Sequence, residues 1–201
     1  IIHLDGDLNR YYVQTLCMIF FPGEKFSDGE ESAPDVPELW VTLTKNGTGY
    51  TSSARASLNG RVCEGEKTQE KEDGMTDERA AKLAVGGAVI GALGSLVEYR
   101  PSWGMLTGVR PSKVATEMLA RGMSKTRVKK TLTSQYMTFP KKAALATEVA
   151  LNEQKIIGTP EARDCSLYIS IPFCPSRCAY CSFVSYTSKR LLSLIPEYVE
   201  R

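Results

Sequence analysis

The first hundred residues predict an α+β domain, and the sixty that follow predict helices. Three observations carry this. Asn46-Gly47 and Asn59-Gly60 separate runs rich in β-branched and aromatic residues, which is the strongest short-range hairpin signal. A long Ala- and Gly-rich stretch, Ala84–Gly94, lies behind a capping threonine, Thr76. Beyond Pro101, segments opening on Pro or Ser are separated by Gly122 and by Thr138-Phe139-Pro140, the punctuation of short helices.

Taken in order, Arg10–Phe21 is rich in Tyr, Val, Ile and Phe and predicts a strand, ended by Pro22-Gly23. Ser27–Pro37 is acidic, carries two prolines and predicts a loop. Leu39–Thr44 alternates and predicts a strand, Gly49–Leu58 returns from the first Asn-Gly turn, and Arg61–Lys67 follows the second. Thr76 reads as an N-cap, with Arg79 where a capping-box glutamate would sit. Asp77 and Glu78 suit the positive end of the helix dipole. That helix runs to about Tyr99, and Pro101 ends it. Pro111–Ala120, Ser124–Tyr136 and Pro140–Gln154 predict three more helices, and Ile156–Asp164 a linker. Ser166–Ile171 predicts one further strand. The expected domains are 1–100 (small α+β), 101–164 (helical connector) and a final segment, 165–201.

Composition is that of an ordinary globular chain of 201 residues with a formal net charge of +2. So small a charge gives no general pull toward nucleic acid or a membrane surface, and no nucleic acid is expected as a partner. The basic run Lys125-Thr126-Arg127-Val128-Lys129-Lys130 reads as a solvated helix face, the alternative being a DNA-reading helix-turn-helix. No run of about 18 apolar residues predicts a membrane span, and no signal-peptide pattern opens the chain. Six cysteines, three of them within eight positions, suit a metal or cluster loop in a reducing compartment and not a disulfide scaffold. The expected location is therefore cytoplasmic. The first residue is Ile1, so the chain is expected to be a trimmed piece of a longer protein.

The chemistry concentrates in Leu167–Phe183, where Cys174, Cys178 and Cys181 follow the predicted strand at C-x3-C-x2-C spacing. Three thiolates on one tight loop can hold three irons of a [4Fe–4S] cluster, for which four ligands are usual. A missing fourth leaves one iron open. The alternative is structural zinc, which takes four Cys or His ligands. His3 is the one histidine, and Cys165, Cys17 and Cys63 are the remaining thiols.

This loop, with Tyr180 before its last cysteine, resembles the C-x3-C-x-(aromatic)-C signature of radical S-adenosylmethionine (SAM) enzymes. Tyr168-Ile-Ser-Ile-Pro-Phe-Cys174 is similar to the oxygen-independent coproporphyrinogen III dehydrogenase group and its haem-chaperone relatives. Trp103-Gly-Met-Leu-Thr-Gly-Val-Arg-Pro-Ser-Lys113 resembles the HemZ-type branch. The front half matches only through Ile2–Asp7 and Phe20–Glu24. The resemblance implies that 165–201 begins a partial (β/α) barrel, cut off at its first helix near Thr187–Arg201. The chain would be the N-terminal fragment of an enzyme and inactive alone. It implies a [4Fe–4S] cluster on Cys174, Cys178 and Cys181, with SAM chelated on the open iron and contacted by Tyr168 and Tyr180. Otherwise Tyr180 would pack beside the cluster and Tyr168 would be a core or edge residue.

The implied reaction is oxidative decarboxylation of coproporphyrinogen III to protoporphyrinogen IX in haem biosynthesis. It would use a deoxyadenosyl radical and a reduced flavodoxin or ferredoxin-like electron donor. Two positions depart from the best-characterised dehydrogenases, Phe183 where they have cysteine and Ser170 where they have histidine. These favour a first alternative, a haem chaperone without dehydrogenase activity. A second treats the front domain as a protein- or nucleic-acid-binding module. Gly108, Arg110 and Lys113 could hold an anion such as a propionate, or could simply open a packed helix.

Overall fold

A stripe of Val13, Leu16 and Cys17 is buried on one face of α1, Arg10–Cys17. The computed structural model describes residues 1–27, 33–158, 161, 163–176 and 186–201. The helix replaces the strand predicted for Arg10–Phe21. Asn9 caps it, its Oδ1 accepting from the Tyr12 N–H at 2.9 Å. The reason lies in topology. Ile2–Asp5, a strand the sequence did not announce, pairs in parallel with Glu38–Asn46. A parallel pair needs a crossover, usually a helix. Spacing of i, i+3, i+4 outweighs the β propensity of Tyr, Val and Thr here.

Call these strands β1 and β2. Gly49–Leu58 (β3) and Arg61–Gln69 (β4) follow in a sheet of order β1-β2-β3-β4, antiparallel from β2 on. Both predicted hairpins are present. At the second, Leu58 pairs with Arg61 across Asn59-Gly60, both at positive φ (52° and 76°), as a type I′ turn requires. At the first the turn is shifted by one residue. Asn46 pairs with Gly49, and Gly47 (φ 57°) is the first central residue.

Helix α2, Asp77–Leu96, begins as predicted, Thr76 Oγ1 accepting from the Arg79 N–H at 3.2 Å. Its buried residues circle the helix and include Leu83, Val85, Ala88, Val89 and Leu93, the pattern of a helix enclosed by its own protein. An 18-residue window of α2 is apolar enough to cross a membrane (mean hydropathy 1.2), but 67% of that window is buried in the fold. Contact with the sheet is close because β4 offers Gly65. A Cβ there would stand 2.2 Å from the Ala88 carbonyl oxygen and 2.7 Å from the Ala92 nitrogen.

The helical segment follows the predicted breaks: α3 (Pro111–Ala120), α4 (Lys125–Ser134, capped by Ser124) and α5 (Pro140–Ile157). It is not a separate connector. Residues Ile1–Gly158 form one compact unit, so the expected boundary at 100/101 does not divide two bodies. The reason is a shared core, in which Leu93 and Leu96 of α2 cluster with Met105, Val128, Leu132 and Ala143. Lys67 of β4 donates to the carbonyls of Ser134 (3.3 Å) and Gln135 (3.0 Å) at the end of α4. Burial holds its ammonium below the ordinary range.

Residues Thr159–Arg201 form the second unit. Ser166–Ile171, predicted as the first barrel strand, makes no ladder among the described residues, and its side chains are exposed. Among the described residues no neighbouring strand takes up its backbone groups. One parallel bridge joins Phe173 to Tyr186. The helix expected near Thr187–Arg201 is two short ones, α6 (Lys189–Leu192) and α7 (Ile195–Glu200).

Candidate metal centre

A loop closed at its base carries the candidate site. The Cys174 N–H donates to the Tyr186 carbonyl at 3.2 Å, and the Tyr186 N–H donates to the Pro172 carbonyl at 2.7 Å. Pro172–Cys174 and Tyr186 are thereby pinned together, and Cys178, Tyr180 and Cys181 fall between them in the sequence. Those three, with Arg177 and Phe183, lie outside the described residues. Cys174 is half-buried and Tyr168 is 78% exposed.

An aromatic clasp holds the base of the loop. The Phe173 ring meets Tyr186 at 6.1 Å and Tyr198 edge-on at 5.3 Å between centroids. The Tyr198 hydroxyl donates to the Ser170 carbonyl. Aromatic pairs of this geometry contribute about 0.5–1.5 kcal/mol beyond burial. The sequence did not single out Tyr186 or Tyr198. Neither sits in a periodic pattern, so the only available signal was an aromatic just beyond the last cysteine.

Of the other thiols, Cys17 is a poor ligand. Cys17 is 3% exposed in the core, and burial pushes its thiol up to about 12. The protonated form neither binds metal nor attacks. Cys63 is half-buried on β4, and His3 stacks flat on Trp40 at 4.9 Å. Cys165 is exposed in the second unit. Among the described residues no three Cys, His, Asp or Glu side chains converge, so the three-thiol set depends on Cys178 and Cys181.

The Trp103–Lys113 block is a packed joint. The short 3-10 turn Gly104–Leu106 is buried. The Met105 N–H donates to the Tyr136 carbonyl at 3.0 Å, the Phe139 N–H to Ser102 at 2.9 Å, and Thr138 Oγ1 to Trp103 at 3.2 Å. Gly104 has φ 54°, and a Cβ there would fall 2.1 Å from the Tyr136 carbonyl oxygen. Arg110 and Lys113 point to solvent.

A cavity of about 660 Å³ lies between α1, β2, β3 and the start of α2, lined by Tyr12, Lys45, Tyr50, Asp77 and Lys82 among others. Its lysines are already committed, Lys45 to Asp77 at 3.1 Å and Lys82 to Glu78 at 2.6 Å.

The chain is similar to a coproporphyrinogen oxidase-like protein. That relative is the oxygen-independent coproporphyrinogen-III oxidase-like protein HemZ of Bacillus subtilis (strain 168), 26% identical over 181 residues. The match covers 87% of this chain and 35% of the relative. The chain thus spans about a third of the length of the curated relative it matches. No family model matches, and no solved structure matches.

Proposed function

We propose that this chain is the cluster-bearing front of a radical SAM oxidoreductase of the coproporphyrinogen oxidase-like kind. The observation that carries this is the C-x3-C-x2-C loop inside a chain similar to HemZ over most of its length. The pinning of Cys174 to Tyr186 suits it, because three thiols within eight positions of the sequence can reach one cluster.

Cys174, Cys178 and Cys181 would hold three irons and leave the fourth for SAM. When bound, cluster and SAM supply one-electron cleavage of a carbon–sulfur bond and, from it, hydrogen abstraction from a substrate carbon. The chain's own part is to bind, orient and exclude water. Phe173, clasped by Tyr186 and Tyr198, gives Cys174 an apolar neighbour, which limits solvent access and tunes the metal. Tyr168, exposed six residues before Cys174, and Tyr180 would meet the SAM adenine, since bases stack readily on aromatics. A reduced flavodoxin or ferredoxin-like protein would deliver the electron.

The substrate would be coproporphyrinogen III. Each of two propionates would lose a hydrogen atom from its β-carbon, then carbon dioxide and one electron, the electron passing to a one-electron acceptor, leaving a vinyl. Phe183 and Ser170 favour a second reading, a haem chaperone that keeps the cluster without this turnover. The assay is anaerobic incubation of coproporphyrinogen III with SAM and a low-potential reductant, using a chain extended to the length of the curated relative. Protoporphyrinogen with two carbon dioxide per turnover is expected. Haem transfer without turnover would give the second reading instead.

A further inference from the structure

The net charge of +2 hides a separation of charge along the chain. Residues 1–98 carry nine Lys and Arg against sixteen Asp and Glu, whereas 99–142 carry ten against a single acid, Glu117. Within that basic stretch Lys125 and Lys129 are held by Glu148 of α5 (2.5 and 3.7 Å). Lys142 and Arg100 lie over Trp103 and Phe139 (5.1 Å each). Six cations remain: Arg110, Lys113, Arg121, Arg127, Lys130 and Lys141. All six are exposed, and none forms an ion pair with a described residue.

Their placement follows from helix phase. Val128 and Leu132 of α4 are buried, which turns Arg127 and Lys130 outward. Ser112, Ala115 and Met118 of α3 are buried, which turns Lys113 outward. Arg121 sits in the turn between these helices, and Lys141 in the first turn of α5.

We infer that this helical surface binds the phosphate backbone of a nucleic-acid duplex. Three observations select that ligand. The cations are spread over three helices and do not line one cavity, which disfavours a small anion. Within 99–142 the exposed large side chains with apolar surface are Tyr99 and Val109, and α5 adds Leu145 and Val149 beyond it, whereas the six cations themselves lie on polar, exposed positions and a protein interface needs an apolar or aromatic core. Hydroxyls of Ser124, Thr126 and Ser134 lie exposed among the cations, the groups that contact phosphates alongside Lys and Arg. Tyr99 is the one exposed aromatic of the stretch and its ring meets Phe20 edge-on, so a single strand, which stacks its bases on aromatics, fits less well.

The test is fluorescence anisotropy of the 201-residue chain with labelled 24-base-pair DNA and RNA duplexes between 50 and 200 mM salt. Six phosphate contacts predict that affinity falls roughly a thousandfold over that range. The triple variant Lys113→Gln/Arg127→Gln/Lys130→Gln should bind more weakly to all sequences, with a salt slope smaller by about three, and Lys25→Gln should change nothing. DNA and RNA arms separate the two duplex sources. No duplex binding at 50 mM salt, or a slope the triple variant leaves unchanged, would overturn the inference. So would preferential binding of anionic vesicles, an acidic protein or a tetracarboxylate porphyrin. The cluster plays no part in these readouts.

Discussion

Single atoms decide two features of the first unit. Gly65 has no Cβ, and the backbone of α2 occupies the space one would need. Gly65→Ala therefore has to push the helix off the sheet, an overpacking that costs about 1–3 kcal/mol and should lower the urea midpoint accordingly. An unchanged midpoint would mean that α2 is not seated against β4. Cys17 and Tyr12 titrate late because folding buries them. The thiol rises from 9.0 to about 12, and the phenol is pushed above its ordinary range, chiefly by burial and secondarily by Tyr136. Both groups keep protons longer in the native state than in the unfolded chain. Their stabilisation is thus intact below pH 9 and is lost as pH climbs toward 12, at up to about 1.4 kcal/mol per unit for each group. Urea titrations from pH 7 to 10.5 should show a flat region and then a decline, shallower in Cys17→Ala.

At the scale of elements, the loop clasp separates a positioning role from a ligand role. Phe173→Ala keeps every thiol but removes the ring held by Tyr186 and Tyr198. It should cut the iron taken up on reconstitution to less than half of wild type while leaving thermal unfolding of the first unit unmoved. Iron content equal to wild type would make the clasp irrelevant to the site. Much at this scale was legible beforehand. Turns and caps act locally, so Asn59-Gly60, Thr76, Pro111, Ser124 and Pro140 announced their positions unaided. α1 was not legible, because Tyr11, Tyr12, Val13 and Thr15 carry β propensity while the demand for a crossover comes from β2, whose Leu39 pairs with Ile2 of β1. The strand expected at Ser166–Ile171 failed for a related reason. Its alternation was real, but a strand exists only with a neighbour.

On the scale of the whole molecule, the chain joins a sheet-and-helix unit to a second unit built around a pinned cysteine loop. The loop was the most legible functional feature, because a cluster demands thiols at close spacing and sequence records spacing directly. The charge separation was the least legible, because a net charge sums over stretches of opposite sign within one folded unit. The decisive measurement is the iron and sulfide content of the chain after anaerobic reconstitution, in wild type and in Cys178→Ala. About four irons and four sulfides per chain in wild type, lost in the variant, are the predicted result. Uptake of zinc with no iron would contradict the account and make the loop a structural metal site.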